Sequence, residues 1–295
     1  MRILVGLDGS SSSDAVIQEA ARRPWPVGSE FAIVTVIDPF FFPKAPLLLE
    51  EARQTTHRAL EEQAKPLAAA GWKISPNVIL DNPRHALPRA AHEWNAELIL
   101  MGSHGRGAVG RLLLGSTAQA VLRHAECSVE IVRSAPERKS AEGGGMHVLI
   151  PTDGSEHAEQ ALRRVGERPW PKGSEFRVIS TPEYPVLVGE YPYYAPEQVA
   201  ELAKSSLSHA TESAEKGAEL LTKAGLKVSR EVTEPGDTPA HSILAAAALW
   251  STDLIVVGSH GRRGFDRLIL GSVSETVALH ATCSVQVVRS PLMVL

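Results

Sequence analysis

One punctuated stretch occurs twice in this chain, and that duplication restricts the fold more than any other feature. Met101-Gly102-Ser103-His104-Gly105-Arg106 is followed, nine residues after Gly105, by Gly115-Ser116; Val257-Gly258-Ser259-His260-Gly261-Arg262 is followed at the same spacing by Gly271-Ser272. Each copy comes after a short apolar run (residues 97–100 and 253–257) and leads into an amphipathic segment, so the context is strand, glycine loop, helix. Such a loop suits a polyanion, because glycine lets backbone N–H groups close on phosphate oxygens and a helix N-terminus adds unpaired N–H groups and a positive dipole end. The same residues also suit a tight turn in which Ser116 and Ser272 merely cap the next helix. Repetition at equal internal spacing favours the phosphate reading.

The rest of the chain repeats in step. Val148–Ser155 matches the first strand and its Asp8-Gly9-Ser10, and Pro169-Trp170-Pro171 repeats Pro24-Trp25-Pro26 at an offset of 145. Cys127 and Cys283, the two cysteines, stand 156 apart at the head of each half's last strand and read as free thiols. The eleven-residue difference is expected after the second strand, in the Tyr- and Pro-rich stretch 182–196. The first helix is expected to be capped by Ser12, Ser13 or Asp14. Residues 1–134 and 146–295 are thus two domains, and 135–145, ending in three glycines, are a linker. At 295 residues and 43% hydrophobic content, each half can hold its own core.

Five strands alternating with four helices in each half imply an α/β fold: two tandem, five-stranded, parallel, Rossmann-like sheets with helices on both faces. In such sheets ligands lie beyond the strand C-termini, at the switch point of strand order. Asp8 ends the first strand and Gly102 the fourth, so adjacency of those strands would line one crevice with both; Asp153 and Gly258 repeat the arrangement. Asp8 and Asp153 suit a turn as well as a ligand contact. Arg106, Arg111, Arg262 and Arg267 suit a solvated rim as well as phosphate neutralisation.

Other chemistries fit poorly. Residues 105–110 spell GxGxxG, but after a fourth strand and not before a helix, and the second half lacks it. Arg111-Leu112 stands where a Walker loop needs Lys and Ser or Thr. There is no GxSxG elbow, and the eleven histidines include no HExxH. A net charge of -4 argues against nucleic acid as the partner. The chain opens on the strand-like run Ile3–Leu7, not a leader, and no apolar stretch approaches a membrane span; it reads as cytoplasmic, with no membrane partner.

Gly-x-x-Gly-x9-Gly-Ser, preceded by a strand-end Asp and a Val-Ile-Asp second strand, resembles the universal stress proteins, here in a tandem two-domain form. The resemblance implies strand order 3-2-1-4-5, an adenine nucleotide (ATP, with or without Mg2+) in the crevice, and pairing of domains through their last strands. It places adenosine near Asp8 and Val36, with phosphates over Gly102, Gly105, Arg106, Gly115, Ser116 and Thr117. The second site would use Asp153, Thr181, Gly258, Gly261, Arg262, Gly271, Ser272 and Val273. Thr181 and Val273 depart from the Val36 and Thr117 of the first half, and Leu80-Asp81 lacks the glycine of Gly236-Asp237. Function is then an ATP-binding stress or regulatory protein; the alternatives are a partner-binding scaffold with vestigial sites, or a slow ATP hydrolase. Gly115→Asp and Gly271→Asp are each expected to abolish binding at their own site and spare the fold.

The last strands, Ser128–Val132 and Ser284–Val288, would be exposed edges in an isolated sheet. A chain carrying two equivalent edges can satisfy both internally, as an intramolecular pseudo-dimer with these strands antiparallel. A homodimer would then need another surface, at the aromatic loops around Phe40 and Tyr193.

Overall fold

A computed structural model describes residues 1–105, 114–133, 144–183, 196–234, 237–262 and 270–289. The first half runs β1 (Arg2–Leu7), α1 (Ser11–Arg22), β2 (Glu30–Ile37), a 3-10 turn (Pro39–Phe41), α2 (Pro46–Ala69), β3 (Lys73–Leu80), α3 (Pro83–Glu93), β4 (Leu98–Gly102), α4 (Ser116–His124) and β5 (Ser128–Val132). The second runs β6 (His147–Pro151), α5 (Glu156–Glu167), β7 (Glu175–Ser180), α6 (Pro196–Lys223), β8 (Val228–Val232), α7 (Pro239–Leu249), β9 (Leu254–Gly258), α8 (Ser272–His280) and β10 (Ser284–Val288).

Local chemistry sets many of these limits. Proline opens α3 and α7, where its missing N–H costs nothing, and the residue before it supplies the cap: Asn82 Oδ1 accepts from Arg84 N–H (3.1 Å) and Thr238 Oγ1 from His241 N–H (3.4 Å). The central strands β4 and β9 are apolar throughout and buried, as expected of strands covered on both faces.

The strands form one continuous sheet ordered β3-β2-β1-β4-β5-β10-β9-β6-β7-β8. Each half has the 3-2-1-4-5 order, with parallel pairing inside it. One hydrophobic layer, under α3, α4, α7 and α8, runs through both halves; on the opposite face α1 and α2 cover one cluster, and α5 and α6 a separate one. The halves are therefore joined along one face as well as through the sheet.

Two expectations need correction. The eleven extra residues do not all follow the second strand. Register makes Val78 and Val232 equivalent at an offset of 154, whereas the caps Asn82 and Thr238 stand 156 apart, so two of the eleven lie between β8 and α7. Helix α1 begins at Ser11 with Ser10 as its N-cap, because Ser13 turns its hydroxyl back to Asp8 and does not cap the helix. The linker expected at 135–145 lies mostly outside the described residues.

The seam is the antiparallel pair β5–β10, with Gln286 opposite Glu130 and Val285 opposite Ile131. Each last strand ends in an arginine that reaches the other half. Arg133 Nη2 donates to the Ala278 carbonyl (2.6 Å) at the end of α8, and Arg289 Nη2 to the Leu122 carbonyl (2.6 Å) at the end of α4. Cations at helix C-termini satisfy orphan carbonyls and complement the dipole, so the exchange staples each half to the other. At the centre Glu130, fully buried, meets Arg23 (2.9 Å), which also binds Glu19 (2.6 Å). Burial opposes the Arg23 charge, yet Glu130 and Glu19 outweigh it and hold its proton more tightly than usual. In the second half Arg168 meets the neutral Gln286 (2.7 Å), and burial pushes its guanidinium down to about 10.

Candidate functional site

Because β1 lies beside β4, Asp8 and Gly102 meet at one crevice. Asp8 is locked in place. Its Oδ1 accepts from the Ser10 N–H (3.0 Å), the Ser10 hydroxyl (2.6 Å) and the Ser13 hydroxyl (3.0 Å), while Ser13 Oγ accepts from the N–H groups of Asp8 and Gly9. The glycine loop packs directly on this turn. A Cβ on Gly102 would lie 2.8 Å from Ser12 Cβ, and one on Gly105 only 2.7 Å from Asp8 Oδ2. Both glycines are thus required by the chain's own packing.

Helix α4 opens on the crevice with Gly115 as N-cap and no side-chain acceptor for its first N–H groups. Ser116 and Thr117 follow, and Gly115 N–H donates to the Ser103 carbonyl (2.8 Å), which folds the loop back. His104 hydrogen-bonds Ser103 Oγ through Nδ1 (2.9 Å); burial, and then the Arg133 charge, lower its pKa from the ordinary histidine value. A cleft of about 1010 Å³ unites Asp8, Val36, Gly102, Gly105, Gly115, Ser116 and Thr117. Its far wall carries Phe41, Phe42 and Asn82, which sequence reasoning did not single out as site residues. Arg106 lies outside the described residues.

The second half repeats the skeleton with different side chains around it. Asp153 Oδ1 accepts from Ser155 N–H (3.0 Å) and its Oδ2 from Arg262 N–H (2.9 Å). A Cβ on Gly261 would again meet the aspartate oxygen at 2.7 Å, and one on Gly258 the His157 backbone at 2.6 Å. Where Ser12 stands in the first half, His157 stands in the second, and its ring lies against His260 with centroids 4.9 Å apart. His209, on α6, donates through Nε2 to the Asp153 carbonyl (3.0 Å), and Glu183 pairs with Arg262 (3.3 Å). Ser274, in place of Ala118, donates to the Gly258 carbonyl (2.6 Å). Thr181 is half-buried with no hydrogen-bond partner for its hydroxyl among the described residues, and Val273 packs against the shared core. Gly271 N–H donates to Ser259, and Ser272 starts α8. Of the residues named for the second site, Asp153 meets Gly261 and Arg262, and His157 and His209 are added beside them and the loop histidine His260, the match of His104. The signal was available: aligning the halves at an offset of 145 sets His157 against Ser12.

The expected probe Gly115→Asp needs revision. A Cβ there would press on the Ser103 carbonyl at 3.3 Å, and one on Gly271 on Ser259 at 3.1 Å, so either substitution would also deform the loop. Ser116 is exposed at the helix start, where an added carboxylate suits the dipole and faces the cleft. Cys127 is half-buried and Cys283 buried, both as free thiols, and burial pushes the Cys127 thiol up to about 12. No helix among the described residues is long and apolar enough to cross a membrane.

Comparison with known proteins agrees with this architecture. The profile of the Universal stress protein family matches residues 1–133 and again 146–289. A universal stress protein of Mycolicibacterium smegmatis is 30% identical over 299 residues, covering 97% of this chain and 96% of the relative. One from Mycobacterium tuberculosis is 30% identical over 300 residues, covering 95% and 93%. The crystal structure of a universal stress protein from Archaeoglobus fulgidus superposes with a TM-score of 0.66 at 23% identity, covering 98% of this chain and 96% of the other, a likeness of fold. With both halves matched and near-complete coverage of relatives of the same length, the chain belongs to the universal stress protein family, as a tandem of two such domains.

Proposed function

We propose that this chain is a nucleotide-responsive regulatory protein that binds one adenine nucleotide, ATP in the first instance, in the first-half cleft. The observation that carries the reading is the cleft itself. It joins an apolar wall around Val36 to an uncapped helix start at Gly115–Thr117, the two surfaces that a base and a chain of phosphates require. The second half keeps the loop, with His260 matching His104, and serves as the non-binding counterpart because His157 replaces Ser12 against that loop histidine and His209 adds a contact to the Asp153 carbonyl. Mg2+ enters only as a counter-ion carried by the phosphates. The residues around the cleft bind and orient: Asp8 holds the glycine loop, and the α4 N-terminus receives negative charge.

Calorimetric titration with ATP tests this. One binding event per chain is expected, lost in Ser116→Asp and kept in Ser272→Asp. Two events, none, or loss in Ser272→Asp would contradict the assignment. Hydrolysis is expected to stay far below a typical enzyme rate of about 10 per second, since among the described residues no Lys lines the cleft.

A further inference from the structure

The rim of the first-half cleft carries aromatic bulk in water. Phe40 and Phe41 are 83% and 77% exposed and meet edge to face, with centroids 6.0 Å apart. Their backbone is nevertheless pinned. Asp38 Oδ1 accepts from Phe40 N–H (2.9 Å), while Asp38 Oδ2 accepts from Nδ2 of Asn82 (3.2 Å), the N-cap of α3. Phe42 N–H donates to the Pro39 carbonyl (2.9 Å), and Ala45 N–H to Phe42 (3.2 Å). An exposed aromatic pair on a fixed turn is a surface waiting for a partner. Phe41 and Phe42 also line the cleft, together with Val36 and Leu87 and with Ser116 and Thr117, so one cleft offers both apolar and polar surface. Glu183, the counterpart of Asp38, pairs instead with Arg262.

We propose that Phe41 is a specificity-determining residue that stacks on the base of the bound nucleotide, and that Asp38 and Asn82 are the positioning pair that hold its turn over the cleft. This rests on the nucleotide reading above and adds to it where the base is gripped. A ring with a free face accepts any flat base, and each base–aromatic stack is worth enough to change affinity about tenfold or more when truncated. The ligand class is therefore a nucleotide held mainly by its base, with the phosphates contributing at the start of α4.

The test is calorimetry with ATP and, separately, with tripolyphosphate, on the wild type, Phe41→Ala, Phe41→Tyr and Ser116→Asp. Phe41→Ala should weaken ATP about tenfold and leave tripolyphosphate unchanged, Phe41→Tyr should retain wild-type affinity, and Ser116→Asp should weaken both ligands. Wild-type binding of ATP with no loss in Phe41→Ala overturns the base clamp while leaving the nucleotide reading intact. No ATP binding by the wild type overturns that reading itself. Sedimentation that changes in Phe41→Ala with ATP affinity unchanged would assign the aromatic pair to a protein interface and also overturn the clamp.

Discussion

At Gly102 and at Gly258 the missing Cβ serves the same purpose: it lets the first turn of the domain's first helix, α1 or α5, lie against the end of the fourth strand. At Gly105 and at Gly261 it makes room for an aspartate oxygen. These four positions agree between the halves although His157, in contact with His260, replaces Ser12 in the second. The glycine loop therefore encodes its own packing first. The proposed difference in ligand binding then rests on residues outside the motif, at positions 12 and 157 and on α6.

The largest expected effect separates the halves at their seam. Glu130→Ala leaves Arg23 buried beside Glu19 alone and should cost about 3–5 kcal/mol in chemical denaturation. Gln286→Ala removes only a neutral acceptor from Arg168 and should cost about 1–3 kcal/mol. Equal costs would show that the central charge asymmetry has no energetic meaning. Exchange of the crevice residues comes next. Ser12→His should weaken ATP about 10- to 100-fold, the equivalent of an overpacking cost of about 1–3 kcal/mol. The double variant His157→Ser with His209→Ala should add a second, weaker binding event, read by calorimetry. Gly102→Ala and Gly258→Ala should each lower stability by about 1–3 kcal/mol, to a similar extent and without nucleotide present. Loss confined to Gly102→Ala, or seen only with ATP, would return these glycines to a ligand-binding role. The smallest effect is chemical: with its thiol pushed up to about 12, Cys127 should resist alkylation at pH 8 in the folded chain and react on unfolding.

Much of this was legible in residue order. Strand and helix alternation pointed to parallel sheets and the β-branched last strands to the antiparallel β5–β10 pairing, because those features depend on periodicity and on edges that need partners, whereas the strand order came from the family resemblance. In the first half Asp8, Val36, Gly102, Gly105, Gly115, Ser116 and Thr117 line one cleft. What stayed hidden depends on side chains meeting across long separations. His157 and His209 look like ordinary helix residues until α5 and α6 bring them to Asp153 and His260. Arg133 and Arg289 follow the last strands at matching places, yet nothing local says that each caps a helix of the other half. The loop around Phe40 was read as a dimer surface, and its ties through Asp38 to Asn82 become visible only once β2 and α3 are neighbours. Ser13 was expected to start a helix; its hydroxyl instead belongs to Asp8, a contact that competes with capping.

The inequality of the two crevices is tested most directly by a crystal structure of the full chain grown with excess ATP. The account predicts one nucleotide, with its base between Val36 and Phe41 and its phosphates at the start of α4, and an undisturbed contact between His157 and His260. A nucleotide in the second half, with those histidines displaced, would contradict it.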